Sequence, residues 1–281
     1  MESGLYVVAT PIGNLGDISQ RAVDVLRRVD LIAAEDTRHS QRLLQHYTIG
    51  TSVIAYHDHS DEHVLRKINA CLAGGGSVAL ISDAGTPLIS DPGYRLVRSV
   101  QESGFAVRPV PGACAALAAL SASGLATDRF LFEGFLPARA GARGNRLAAL
   151  AHETATLIFY EAPHRVLACL EAMVTSFGGE REAVLAREVT KAFETIRRCS
   201  LAELWAFVAA DQHQQKGEIV LLVAGRGDEE RELTPEISAL LLRLAGELPA
   251  RRAAAVVADY SGLRKKQLYD YLLAQKAGRE Q

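Results

Sequence analysis

The chain has 281 residues, 48% of them hydrophobic and 23% charged, the composition of a soluble globular protein of roughly two domains. Its net charge of −2 excludes a global field that would draw the whole molecule onto nucleic acid, so any basic partner surface must be local. The cysteines (Cys71, Cys114, Cys169, Cys199) form no C-x-x-C pair, which excludes a disulfide framework or a zinc ribbon and fits reduced cytosolic thiols.

In chain order, LYVVA (5–9) reads as a buried strand, and DISQRAVDVLRRV places Ile18, Ala22, Val25, Leu26 and Val29 on one helical face. Asp17 and Gln20 form a plausible capping pair for that helix. Further strands are predicted at 31–35, 53–57, 77–82 and 105–110, with helices at 62–72 and 93–102. This alternation predicts a mainly parallel sheet covered by helices. After a small-residue helix, PGACAALAALSASG, strands at 130–136, 155–161, 182–188, 194–200 and 217–223 outnumber helices at 164–176 and 201–210, so a mixed sheet is expected. A charged break (226–236) precedes a tail that reads helix, Ser-Gly turn, helix, a helix-turn-helix-like outline. The start has no basic n-region and no long apolar stretch, and runs such as IVLLVAG are too short to span a bilayer. A cytoplasmic protein is expected, with domains at 1–125, 126–227 and 228–281.

The loop TPIGNLG follows the first strand but lacks the Walker lysine, and its glycines do not form G-x-G-x-x-G. It reads as a stiff turn able to line a pocket without cradling phosphate. SDAGTPLISDPGY (82–94) packs two prolines and two glycines beyond another strand end, and Asp83 and Asp91 add carboxylates that could accept hydrogen bonds from a ligand. AEDTRHS (34–40) crowds Glu35, Asp36, Arg38 and His39 at a strand end, open to substrate handling or to an ion pair with a helix cap. His57 and His59 in HDHSDEH have a spacing compatible with metal binding, but a polar loop at a pocket mouth is the preferred reading.

TPIGNLGDIS, AEDTRHS, SDAGTPLISDPG, PGACAAL, LIFYEAPHR, REVTKAFET and KGEIVLLV occur in that order. Together they closely resemble the tetrapyrrole methylase superfamily of S-adenosylmethionine-dependent methyltransferases, and more narrowly its ribosomal RNA branch. The resemblance runs from about Leu5 to the C-terminus. It implies an α/β fold of two α/β domains with the methyl-donor site in the cleft between them, plus a small helical C-terminal extension. It implies S-adenosyl-L-methionine as cofactor, bound by Pro11, Gly85, Thr86, Pro87, Ile89, Cys114, Ala115, Tyr160, Ala192, Gly217, Glu218 and Ile219. Thr86 departs from the Asp usual in the small-molecule branch, and Asp83 could substitute for it. Cys114 is expected to be an inert, small apolar residue.

For activity, the resemblance implies 2′-O-methylation of a cytidine ribose in the 16S rRNA decoding centre, within the 30S subunit. It implies a homodimer, and no metal, since transfer from a sulfonium needs none. Candidate bases for the ribose hydroxyl are Glu161, Asp36 and Asp83, or Lys191 if neutral, and alignment without a dedicated base stays open. RNA contacts are expected from Arg38, His39, His57 and Arg165, from Arg139, Arg143 and Arg146 in a basic loop, and from Arg264, Lys265 and Lys266 in a tail of local charge +4. Competing readings are a methyltransferase acting on a tetrapyrrole, a helix-turn-helix DNA-binding regulator, and a nicotinamide-dependent oxidoreductase. The last lacks its glycine pattern.

Overall fold

The computed structural model describes residues 1–57, 62–227, 233–261 and 263–277. His59, and with it the His57–His59 metal reading, lies outside the described residues. The chain divides into two compact units, Met1–Gly225 and Arg226–Gln281.

The larger unit holds two five-stranded sheets. The first comprises β1 (Gly4–Val8), β2 (Leu31–Ala34), β3 (Val53–Ala55), β4 (Ser77–Ile81) and β5 (Val107–Val110), in the order β3-β2-β4-β1-β5. All its pairings are parallel, as the βα alternation predicts. Helices α1 (Gln20–Arg28), α2 (Thr37–His46), α3 (Glu62–Ala73) and α4 (Tyr94–Glu102) lie between the strands in sequence. Burial on both faces explains the near-continuous apolar runs. Val8, Leu26, Ile32 and Ile81 pack on one side, and Leu5, Tyr56, Ile68, Leu80 and Leu96 on the other.

The cap of α1 differs from the sequence reading, and α2 contains the helix cap that the reading of AEDTRHS offers as one alternative. The cap of α1 is Ser19, whose hydroxyl accepts from the Ala22 N–H at 3.1 Å; Asp17 instead closes a short 3-10 turn, Leu15–Asp17. Helix α2 is hidden inside a charged motif: Asp36 caps it, accepting from the Arg38 N–H, and Leu43 and Leu44 bury its inner face.

The second sheet comprises β6 (Phe130–Phe135), β7 (Thr156–Glu161), β8 (Glu182–Arg187), β9 (Thr195–Ser200) and β10 (Ile219–Val223), in the order β6-β7-β10-β8-β9. The sheet is mixed: β6 and β7 are parallel and the remaining pairs antiparallel. One face packs on α5 (Ala115–Ser123) through Ala116, Ala119 and Leu120 against Ile158, Val184, Val220 and Leu222. The other face buries Phe159, Leu185 and Leu221 against α6 (Ala140–Leu150), α7 (Val166–Phe177) and α8 (Leu201–Ala210). Helix α6 corrects the predicted basic loop. Gly141 and Gly144 mask it in the sequence, and Leu147 and Leu150 anchor it.

The smaller unit contains α9 (Pro235–Glu247), α10 (Ala250–Ser261) and α11 (Lys265–Ala277) around Leu241, Ala254, Val257, Leu268 and Leu272. The predicted helix pair is present, joined by a preceding helix capped by Thr234 with Pro235 at its first position.

Candidate functional site

Open parallel sheets present ligands with the loops beyond their strand C-termini. Here those loops are tied to one another. The Thr10 N–H donates to the Gly85 carbonyl (2.8 Å) and the Gly85 N–H returns to the Thr10 carbonyl (3.1 Å), joining the loops after β1 and β4. The Thr86 hydroxyl donates to the Ala113 carbonyl (2.9 Å), joining the loops after β4 and β5. Thr86 therefore acts as a cross-brace between these loops. Leu88 and Ser90 both adopt positive φ (74° and 65°), a conformation costly outside glycine and concentrated at functional sites.

The opposite wall comes from the second sheet. β6 carries a bulge between Phe132 and Gly134, where Gly134 takes φ 64° and a Cβ would meet Ser90 Oγ at 2.9 Å. Such bulges re-aim neighbouring side chains, and Phe135 lines the cavity beside Tyr160. Gly13 answers why the first loop needs its glycine: a Cβ there would strike the Lys191 side chain.

Between these walls lies a cavity of about 330 Å³, in the range of small-molecule pockets. It is lined by Ile12, Ala84, Gly85, Thr86, Ile89, Ser90, Asp91, Cys114, Ala115, Phe135, Tyr160, Glu161, Ala162, Pro163, Val189, Gly217, Glu218, Ile219 and Val220. Of the residues that the resemblance assigns to the donor, Gly85, Thr86, Ile89, Cys114, Ala115, Tyr160, Gly217, Glu218 and Ile219 lie in this lining, whereas Pro11, Pro87 and Ala192 do not. Ile12, Phe135 and Val189 are lining residues that the sequence reading missed. An apolar residue carries no signature of a site, and the bulge that turns Phe135 inward has only Gly134 to mark it.

The polar groups differ in how firmly each is already held. The Tyr160 hydroxyl accepts from the Ala116 N–H (3.1 Å) at the start of α5, and burial pushes its phenol above the usual range. Glu161 has a fully buried side chain; it accepts from the Ala162 N–H (2.8 Å) and pairs with Arg165 Nε at 3.1 Å. Arg165 also donates to the Leu136 carbonyl (2.6 Å). Lys191 donates to Glu188 (2.9 Å) and Glu218 (2.8 Å). Burial alone would lower its pKa, but these carboxylates raise it, so Lys191 is an ammonium at neutral pH and not the neutral amine that a base requires.

Beyond the cavity wall, Asp83 accepts from the Asp36 N–H (3.0 Å), and the Asp83 N–H donates to Glu35 (3.3 Å). Asp36 is held below the usual carboxylate range by the Arg38 N–H and guanidinium. Burial pushes Glu35 up against the hydrogen bond from the Asp83 N–H, and the nearby Asp83 carboxylate adds to the rise. Asp91 lines the cavity. Burial, with Glu35 and Asp83 nearby, moves its carboxyl up to about 6 against the opposing hydrogen bond from the Ser82 hydroxyl.

The basic residues separate by exposure. Arg38, His39, His57, Arg139, Arg264, Lys265 and Lys266 are exposed. Arg146 is exposed but forms a two-pronged pair with Glu133 (2.8 Å for both hydrogen bonds). Arg143 is corrected: only 8% exposed on the inner side of α6, it belongs to the interior near Cys169, not to a nucleic-acid surface.

A family model described as Tetrapyrrole (Corrin/Porphyrin) Methylases matches residues 4–205. The chain belongs to the tetrapyrrole methylase family. Within this family of methyltransferases, it is 57% identical over 271 residues to a Pseudomonas aeruginosa protein named Ribosomal RNA small subunit methyltransferase I, with 96% of each chain covered. A Vibrio cholerae protein of the same name is 53% identical, covering 95% of this chain and 93% of its own. Residues 231–276 match a model described as RsmI C-terminal HTH domain. Among solved structures, diphthine synthase superposes with a TM-score of 0.60 at 17% identity, over 78% of this chain and 89% of its own. Uroporphyrin-III C-methyl transferase from Thermus thermophilus, complexed with S-adenyl homocysteine, gives 0.54 at 17% identity, over 79% and 97%. These likenesses establish the tetrapyrrole methylase fold.

The cavity fits a cationic nucleoside and not a phosphate. Its described lining holds the carboxylates of Asp91, Glu161 and Glu218, aromatic rings at Phe135 and Tyr160, and no arginine, lysine or histidine. A sulfonium gains from nearby carboxylates, and a purine from apolar and aromatic walls. A phosphate would find no counter-charge there.

Proposed function

We propose that this family member binds S-adenosyl-L-methionine in the cavity and methylates a cytidine ribose 2′-oxygen in the 16S rRNA decoding centre, within the 30S subunit. The observation that carries the reading is the 57% identity, over nearly the whole of both chains, to a protein named Ribosomal RNA small subunit methyltransferase I. The cytoplasm follows as the location if ribosomal subunits are the substrate. Among the described residues, no helix is long and apolar enough to cross a membrane.

The donor supplies a methyl group already activated on a sulfonium sulfur. The residues that would hold it are Gly85, Thr86, Ile89, Cys114 and Ala115 from one side, and Tyr160, Gly217, Glu218 and Ile219 from the other. Pro11, Pro87 and Ala192 would shape the loops around them. The task left to the protein is alignment of the ribose oxygen with the methyl carbon. Exposed Arg38, His39, His57 and Arg139 are proposed to hold RNA phosphates or sugars, and Arg264, Lys265 and Lys266 to extend that grip. Tying Glu161 to Arg165 and Lys191 to two carboxylates favours structural roles for both over proton transfer.

The test is incubation of the purified protein with tritiated S-adenosylmethionine and 30S subunits lacking the modification, with free 16S rRNA in parallel. Label in rRNA that resists alkaline cleavage at a single nucleotide is expected. Label on a corrin or porphyrin, with none on RNA, would replace this reading by the tetrapyrrole one. Sedimentation equilibrium tests the homodimer that the family resemblance implies.

A further inference from the structure

Three carboxylates line the cavity, and they are not equivalent. Glu161 is paired with Arg165, and Glu218 shares Lys191 with Glu188. Asp91 enters none of the ion pairs among the described residues. It sits on the loop braced by Thr86 and held at positive φ at Leu88 and Ser90, so its place is set by the fold and not by a counter-ion.

We propose that Asp91 is the catalytic residue that takes the proton from the ribose 2′-hydroxyl as methyl transfer proceeds. This rests on the rRNA ribose reading above. The ribose oxygen forms its bond to the methyl carbon while the carbon–sulfur bond breaks and its electron pair goes to sulfur. The hydroxyl proton passes to an Asp91 carboxylate oxygen and leaves from there to water. A carboxylate without a cationic partner is the better proton acceptor, because ion pairing stabilises the charged form that protonation would discharge.

The surroundings set the working pH. Glu35 and Asp83 face Asp91 from the loops after β2 and β4, and Tyr160 faces it from β7. The charge of His57 acts on Glu35 from the end of β3. Burial and the two carboxylates hold the Asp91 carboxyl at about 6, so it is ionised yet basic near neutrality, the condition for efficient general-base catalysis. Asp36, by contrast, is held below the usual carboxylate range by the Arg38 N–H and guanidinium, which weakens it as a base.

The test uses the full chain as wild type, D91N and D91E. Single-turnover transfer from tritiated S-adenosylmethionine to 30S subunits is followed from about pH 5 to about pH 9. Affinity for S-adenosylhomocysteine is measured by calorimetry, and the Asp91 carboxyl carbon resonance, assigned by its absence in D91N, is titrated without RNA. D91N is expected to slow transfer by about 10²–10⁴-fold while leaving that affinity nearly unchanged, with part of the rate restored in D91E. The wild-type rate should fall below about pH 6, and the carboxyl resonance should titrate with a midpoint near the same value. Wild-type rates in D91N, a flat wild-type profile, or a rate loss matched by lost affinity would each overturn the proposal while leaving the RNA reading intact. Wild type that binds S-adenosylhomocysteine but labels no RNA would overturn both. If D91N does not fold, D91E and the wild-type profile decide the matter.

Discussion

Glu161 and Arg165 meet where β7 ends, with the carboxylate fully buried and the guanidinium one-fifth exposed. Removing one member of such a pair strands the other, which costs far more than the pair itself contributes. Arg165→Ala is therefore expected to lower stability by about 3–5 kcal/mol in urea denaturation, with Glu161→Leu/Arg165→Met recovering much of the loss. A small effect of Arg165→Ala would show that water reaches Glu161. The positions of Glu161, Lys191, Asp36 and Asp83 at strand ends are legible in the sequence, because apolar runs stop where loops begin. Which of them already has a partner is not legible. Lys191 meets Glu218 across 27 positions, and Asp83 meets Asp36 across 47. These are pairings that the fold creates and no local pattern records. Asp91 stands in a conspicuous loop, but its lack of a cation is visible only in three dimensions.

At the scale of elements, the strands are readable to within a residue or two, since each is a short buried run between turn residues. Helix α6 is not, because its two glycines and two arginines, with Arg139 before them, resemble a solvated loop until Leu147 and Leu150 find the core. The bulge in β6 is equally silent, although it shapes the cavity. Gly134→Val places a β-branched residue at φ 64° and against Ser90. It should cost about 1–3 kcal/mol and also weaken S-adenosylhomocysteine binding by calorimetry, because the strain falls on the Asp91 loop and on Phe135. Ser200→Ala offers the contrast. It removes the capping box of α8, in which the Ser200 side chain and Glu203 satisfy each other's backbone donors. A loss of about 1 kcal/mol in thermal or chemical unfolding is expected, with binding unchanged. Equal effects of the two substitutions on binding would contradict the role given to the bulge.

The whole molecule combines a near-neutral net charge with local basic groups, an arrangement suited to a polyanion that must be gripped at particular points. Residues 1–225 form one compact unit with cores on both faces of both sheets, and the tail forms another around Leu241, Val257 and Leu268. The helix pair in the tail is legible from its periodicity, although that outline alone is equally compatible with a DNA-binding regulator. Separate cores make the division testable. A chain ending at Gly225 is expected to unfold cooperatively and to bind S-adenosylhomocysteine as the full chain does, because every residue lining the cavity precedes that point. Its affinity for 30S subunits should fall, and the salt dependence of binding should become shallower, by about 0.7 in the log–log slope for each phosphate that the tail neutralises. Replacing Arg264, Lys265 and Lys266 together by Ala in the full chain should reproduce part of that change without altering the fold of α11. Binding and salt slope that stay the same in both variants would remove the tail from the RNA interface and leave the exposed arginines of the larger unit to hold it.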